Sequence, residues 1–336
     1  MVRIPIFTSL TETISKEIKN RTHSVERRKP ESLAVVITTY NNPRWLEKVL
    51  WSYSAQNYSQ TPVKIIIADD GSTEETQLLI EKYRKNFPWD LMHLWHPDRG
   101  FQKTRILNRA IAAAKSDYLI FTDHDCVPRN DFLTLHYEHA ESGYFLSGGY
   151  VKLSKTLSHQ LTQDDIVSGR AFRKTWLKSQ GFILQSTLPK LTTNKRLAVL
   201  LNWITTTDAT WNGHCSSCWQ SDALAVNGFD ESMHYGGEDR EFGERLFNLG
   251  IKAKQLRYSF PCMHLDHDRP YATSESITKN KAIRKETRLS KRIETSHGIK
   301  QMLGENTNDG YVEKIFLHTA TPIYLPFVND MLRKAG

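Results

Sequence analysis

The 336-residue sequence predicts an α/β fold, a mostly parallel Rossmann-like sheet flanked by helices. Three observations carry this. Apolar runs alternate with amphipathic helical stretches between residues 33 and 123. The runs are continuous rather than alternating, as strands covered on both faces require. Two of them stop in acidic turns, at the strand ends where open α/β sheets hold their ligands.

The first strong strand is LAVVITTY, Leu33 to Tyr40. Next comes PRWLEKVLWSYSAQ, in which Trp45, Leu46, Val49 and Leu50 recur at helical spacing. VKIIIADDGS (Val63 to Ser72) is a second strand, TEETQLLIEKYRKNF a helix, LMHLWHP a short strand and KTRILNRAIAAAKS another helix. The strand from Tyr118 to Phe121 then runs into Asp123, His124 and Asp125. Such alternation implies right-handed crossovers between parallel strands.

Between residues 150 and 205 no period stands out. Order returns with SSCWQSDALAVNGFDE, read as strand, helix and turn, and with GGEDREFGERLFNLG, an acidic turn leading into a helix that Gly250 stops. KAKQLRYSFPCMHLDHDRPY is extended and holds His264 and His267; a basic helical stretch follows from Ser274. The divisions are an N-terminal appendage (1–31), a first half with the regular alternation (32–150), a second half (151–270) and a basic helical C-terminal extension (271–336).

Composition bounds the function. With 39% apolar residues the chain can build a core. Lys and Arg number 45 against 37 Asp and Glu, a net charge of +8, which suits phosphorylated substrates, an anionic membrane surface or nucleic acid. The four cysteines point to a reducing compartment, and without a second CxxC to complete a zinc site, Cys215 and Cys218 of CSSC read as small buried hydrophobes. No apolar run reaches the ~20 residues needed to cross a bilayer. We therefore expect a cytoplasmic protein, or one peripheral on the cytoplasmic face of the inner membrane.

Four polar clusters fall at strand ends or helix starts: Asp69 and Asp70, Asp123 to Asp125, Glu238 and Asp239, and His264 with His267. Each alone also reads as a turn or a helix cap. Together they supply what sugar transfer from a nucleotide demands. Asp125 with Asp123 suits a divalent cation that neutralises a departing diphosphate, and His264 or His267 completes a carboxylate and imidazole set suited to Mn²⁺ (or Mg²⁺). Asp239, at a glycine-lined helix start, is placed to act as a base.

The segments VVITTYNNPRWLEKVLWS, IIIADDGSTEET and GFQKTRILNRAIAAAKSDYLIFTDHDCVP resemble the nucleotide-binding half of family 2 glycosyltransferases, which have the GT-A fold. NGFDESMHYGGEDREFGERL followed by HLDH resembles the acceptor segment of β-1,4-galactosyltransferases and chondroitin-polymerase type enzymes. The resemblance implies that Thr38, Tyr40 and Asp70, assisted by Asp69, lie at the uracil, and that Arg105 and Asn108 lie near the nucleotide phosphates. It matches Asp123 and Asp125 to the DxD motif, with Asp125 on the metal and Asp123 and His124 facing ribose and donor sugar. Glu238 matches the acceptor-binding acid and Asp239 the catalytic base, with Gly237, Trp211 and His214 on the acceptor side. Trp211 reads equally as a core residue. His267 best matches the metal-binding histidine, and His264 is the same kind of residue.

This chain departs from the family in placing His124 where a small or acidic residue is usual, and WNGHCSSC where GxN is common. It also lacks the QxxRW motif and the membrane spans of processive members, which implies one sugar added per encounter. The implied activity is inverting, metal-dependent transfer of a hexose or N-acetylhexosamine from a UDP-sugar to a glycan or lipid-linked glycan acceptor, in lipopolysaccharide or capsule synthesis. The rival readings are a nucleotidyltransferase, for which a glycine-rich phosphate loop is missing after the first strand, and a nucleic-acid-binding protein, for which the basic residues sit at the chain ends rather than among aromatics on one sheet face.

Overall fold

The computed structural model describes residues 28–182, 188–268, 273–305, 314–316 and 323–324. Most of the expected N-terminal appendage, residues 1–27, and much of the end of the C-terminal extension lie outside the described residues.

The centre is the parallel set β1 (Leu33–Thr39), β2 (Val63–Asp69), β3 (Asp90–Trp95) and β4 (Tyr118–Asp123), in the order β3-β2-β1-β4. All seven residues of β1 are buried, which is why it reads as one apolar run. Helices α1 (Pro43–Ser54), α2 (Glu74–Arg84) and α3 (Lys103–Ala114) make the crossovers. Asn42 caps α1 through a bond from the Trp45 amide, and Pro43 occupies the first turn, where a missing N–H costs nothing. Register sets the site: Thr38 lies beside Asp123 and Thr39 beside Asp69 at the carboxyl edge of the sheet.

The sheet does not stop at β4. β8 (Ser216–Trp219) adds antiparallel to it, then β6 (Tyr144–Ser147) antiparallel to β8 and β9 (Lys252–Gln255) parallel to β6; on the other flank β11 (Lys314–Phe316) pairs with β3, and β12 (Ile323–Tyr324) with β11. The mostly parallel expectation thus holds for the core, and the flanks are mixed. A second small sheet, β5 (Cys126–Val127), β10 (Cys262–His264) and β7 (Tyr150–Lys152), sets His264 directly opposite Cys126. The stretch expected to be one extended segment after Gly250 is therefore cut by a turn at Leu256–Ser259 into strands of two different sheets.

The region without a visible period folds into helices too short to show one: α4 (Phe132–His139) precedes it, and α5 (Lys155–Gln160), α6 (Gln163–Val167), α7 (Lys174–Ser179) and α8 (Lys195–Ile204) make it up. Side-chain caps mark three of them, Ser154, Thr162 with Asp165, and Asn194. After β8 come α9 (Gln220–Ala225) and α10 (Glu238–Asn248), the latter preceded by Gly236 and Gly237 at φ +113° and +101°, a left-handed entry that favours glycine. The basic stretch forms α11 (Ser274–Ser290), and α12 (Ile299–Glu305) follows. Part of its charge turns inward: Arg284 and Arg288 both reach Glu244 on α10 at 2.7 Å. Cys126, Cys215, Cys218 and Cys262 are free and buried, as expected. Among the described residues no helix is long and apolar enough to cross a membrane.

Candidate active site

A cleft of about 860 Å³ opens at the carboxyl edge of the sheet and is lined from both sides of the β4–β8 seam. Thr38, Tyr40, Asp70, Asp123, His124, Asp125, His214, Gly237, Glu238, Asp239, His264 and His267 all face it.

On the β1–β2 side, Asp70 accepts from the Gln102 amide at 3.0 Å and meets His96 Nε2 at 2.7 Å. Burial raises its pKa, and the His96 hydrogen bond opposes the rise. Tyr40 donates to Asp98 at 2.8 Å from the rim. Neighbouring Asp69 faces the other way, fully buried between His93 at 2.9 Å and the Ser72 amide at 2.8 Å. It braces the turn rather than lining the cleft. Gly71 makes that turn possible at φ +92°, because a Cβ there would lie 2.6 Å from the Asp98 backbone.

At the end of β4, Asp123 accepts from Thr38 Oγ1 and from Lys103 Nζ at 2.7 Å. His124 is pinned to β1 by its amide, 2.9 Å from the Thr38 carbonyl, and burial lowers the pKa of its ring against the pull of Asp125 and Asp123. Asp125 is buried, with Oδ2 2.6 Å from His267 Nε2 and 3.4 Å from His264 Nε2. Burial alone would raise its pKa; the imidazoles of His267, His264 and His124 overcome that and hold the carboxyl well below its usual range. His267 Nδ1 lies 2.8 Å from the Asp268 carbonyl, which fixes the ring with Nε2 toward Asp125.

A buried carboxylate with two convergent imidazoles fits Mn²⁺ or a similar divalent ion. Asp125, Cys126 and His264 also cluster within 4.8 Å, but burial pushes the Cys126 thiol well up, and it donates to Asp125 at 3.1 Å. Asp125 and His264 are the carboxylate and imidazole of that cluster, and His267 bonds the same carboxylate oxygen at 2.6 Å.

Across the cleft, the start of α10 presents two acids. Asp239 Oδ2 accepts from the Gly213 amide at 3.1 Å, and Glu238 Oε2 from the Gly236 amide at 2.9 Å. Burial, then the Asp239 charge, push Glu238 up to about 7, while Lys103 opposes the shift. His214 is pushed down to about 4 by burial and is neutral at physiological pH.

Two more expectations, Asn108 and Arg105, are corrected in position, and Trp211 takes the core reading of its two. Trp211 is fully buried against Phe121, Phe145 and Phe242, so it presents no face to a sugar. Asn108 is buried and exchanges bonds with the Phe229 backbone at 2.9 and 2.7 Å, and Arg105 holds Glu231 at 3.0 Å. Both tie α3 to the loop before α10 instead of lining the cleft.

The residue overlooked in the sequence is Lys103. It sits in the cleft between Asp123 and the Glu238–Asp239 pair, whose charges overcome burial and raise its pKa. One signal was available. Lys103 opens α3, where the helix dipole disfavours a cation, so its charge must be met by acids from elsewhere.

The fold and the cleft between them define a class, the GT-A glycosyltransferases. Residues 34–194 match the family model described as glycosyl transferase family 2, and residues 206–268 match that of the N-terminal domain of galactosyltransferase. Residues 34–194 are thus a family 2 glycosyltransferase domain, followed by a chondroitin-polymerase-like part, and the chain is a glycosyltransferase rather than a nucleotidyltransferase.

It is 28% identical over 260 residues to hyaluronan synthase of Pasteurella multocida, covering 68% of this chain and 24% of that one. It is 26% identical over 245 residues to chondroitin synthase of Pasteurella multocida strain Pm70, covering 65% and 23%. The chain spans about a quarter of the length of these two relatives. Its fold is similar to the crystal structure of S. aureus TarS 1-349 in complex with UDP-GlcNAc, with a TM-score of 0.51 at 16% identity, over 82% of this chain and 72% of that one.

Proposed function

We propose that the chain transfers a hexose or N-acetylhexosamine from a UDP-sugar to a glycan hydroxyl with inversion, in the synthesis of a surface polysaccharide such as lipopolysaccharide or capsule. The observation that carries this reading is the placement of Asp239 and the Asp125–His264–His267 set in one cleft. The names of the relatives, synthases of hyaluronan and chondroitin, support a polysaccharide product.

Asp125, His264 and His267 would hold a divalent cation, which supplies charge neutralisation to the departing diphosphate. Asp70 and Tyr40 receive the base. Asp123, held by Thr38 and Lys103, faces the ribose and donor sugar. Asp239 takes the proton of the acceptor hydroxyl as that oxygen attacks the anomeric carbon, and Glu238 and His214 position the acceptor. The Gly213 amide on Asp239 Oδ2 at 3.1 Å and the Arg240 amide on Oδ1 at 2.7 Å fix the orientation of the base, and each oxygen keeps a lone pair for the substrate. A single displacement inverts the anomeric centre.

The test is nucleoside diphosphate release from a panel of nucleotide sugars, with Mn²⁺ and with EDTA, for wild type and Asp239→Asn. We expect release from one UDP-sugar, abolished by EDTA and lowered by about 10³-fold or more in Asp239→Asn with UDP binding retained. Full activity in Asp239→Asn would remove the base assignment. Release unaffected by EDTA would remove the metal.

A further inference from the structure

We propose that helix α8, Lys195–Ile204, is a docking element for an anionic lipid surface. The proposal stands apart from sugar transfer and rests on a different part of the molecule.

Helix α8 is tethered on one side. Ala198 is buried, and Asn202 donates to Ser259 Oγ at 2.9 Å and accepts from the Tyr258 amide at 3.0 Å. At ~3.6 residues per turn, Leu197, Val199, Leu200, Trp203 and Ile204 fall on the opposite arc. They are 42, 61, 50, 82 and 55% exposed. Five large apolar side chains facing outward on one ten-residue helix form a contiguous patch that marks an interaction site.

Charge selects the occupant. Between Asp165 and Asp208 the sequence carries seven Lys and Arg residues and no Asp or Glu; of these, Arg170 pairs with Asp164 and Asp165, and Lys195 lies 3.5 Å from the exposed Glu138. Two of the seven, Lys195 and Arg196, open α8, and Arg196 falls on the apolar arc itself, where its stem can lie along apolar surface with the guanidinium in the headgroups. Apolar protein interfaces are depleted in Lys, whereas an apolar arc holding Trp and flanked by basic residues is the composition of an interfacial membrane helix. Residues 205–212 join α8 to Gly213 and His214, which line the cleft.

The test is co-sedimentation of the full chain with vesicles of phosphatidylcholine alone and of phosphatidylcholine mixed with phosphatidylglycerol, without donor or acceptor. We expect binding to the mixed vesicles, weakening with salt, and a blue shift of tryptophan emission. Lys195→Ala with Arg196→Ala should lower partition by about tenfold, and Leu200→Glu with Trp203→Glu should abolish it, with circular dichroism unchanged. Failure of wild type to bind mixed vesicles, or equal binding to the neutral ones, overturns the proposal. So does a dimer in sedimentation that Trp203→Glu dissociates, since the arc would then cover a second copy. Because no sugar is present, failure here leaves the transferase reading intact.

Discussion

Lys103 answers to three carboxylates, and its influence should be visible in a pH profile. Glu238 is protonated below about 7 because burial and Asp239 both penalise its ionised form. Lys103 favours that ionised form. If ionised Glu238 holds the acceptor, kcat/KM for acceptor falls as pH drops through about 7, and Glu238→Gln lacks that limb. Lys103→Met should move the limb to higher pH and lower turnover at neutral pH by about tenfold, with Lys103→Arg partly restoring both. A Lys103→Met enzyme that loses activity uniformly at all pH values would show a structural role only. At this scale the sequence was half legible. Asp125, Glu238, Asp239 and the two histidines announce themselves by type and by their place at element ends. The split of Asp69 from Asp70 does not. Adjacent residues leave a strand on opposite sides, and only packing against His93 and His96 decides which carboxylate meets the cleft. Arg105 and Asn108 failed the same way, since their partners Glu231 and Phe229 are over a hundred residues distant, and Trp211 could not be assigned because its ring partners Phe121, Phe145 and Phe242 come from three separate stretches of chain.

The element that positions the acids is α10, and a buried ion pair anchors it. Glu241 and Arg245 are both fully buried and pair at 2.9 Å one turn apart, and Arg245 also donates to the Val226 carbonyl. Thr287 of α11 donates to Glu241 at 2.9 Å, and Arg292 lies 3.2 Å away. Removing the carboxylate would strand a guanidinium in the core. We expect Glu241→Leu to destabilise the protein by about 3–5 kcal/mol, read as a lowered urea midpoint, whereas Arg288→Ala, an exposed partner of Glu244, should change it by less than about 1 kcal/mol. Equal effects would mean that the buried Glu241–Arg245 pair contributes no more than the exposed Arg288–Glu244 pair. Elements were the most legible scale: β1 to β4 and α1 to α3 follow from continuous apolar runs and amphipathic spacing. The three-residue strands β7 and β10 and the five- and six-residue helices carry too few residues to show a period, so tertiary pairing alone defines them.

At the scale of the molecule, the sequence suggests two halves meeting near residue 150, because composition changes there. Backbone pairing runs across that boundary. β8, from the second half, zips onto β4 with Tyr118 opposite Trp219 and Phe121 opposite Ser216, while β6, from the first, is held between β8 and β9. The apolar layer on this face draws Ala34, Phe121, Trp211, Phe242 and Met302 into one cluster. Neither half keeps a closed core without the other, and cutting at 150 would bare the β4 edge, a row of unpaired amides and carbonyls beside Leu119 and Phe121. We therefore expect one cooperative urea transition, with far-UV circular dichroism and tryptophan fluorescence superimposed, and insoluble material from residues 28–150 expressed alone. Tryptophans 45, 51, 89 and 95 report on one side of the boundary and 176, 203, 211 and 219 on the other, so separate melting would be seen directly as non-coincident curves. Two transitions would restore the halves as independent units. One transition would mean that the cleft, with Asp123 and Asp125 on one side and Glu238 and Asp239 on the other, is held by the same strand pairing that holds the fold, so that under the proposed function destabilising either side lowers turnover and stability together.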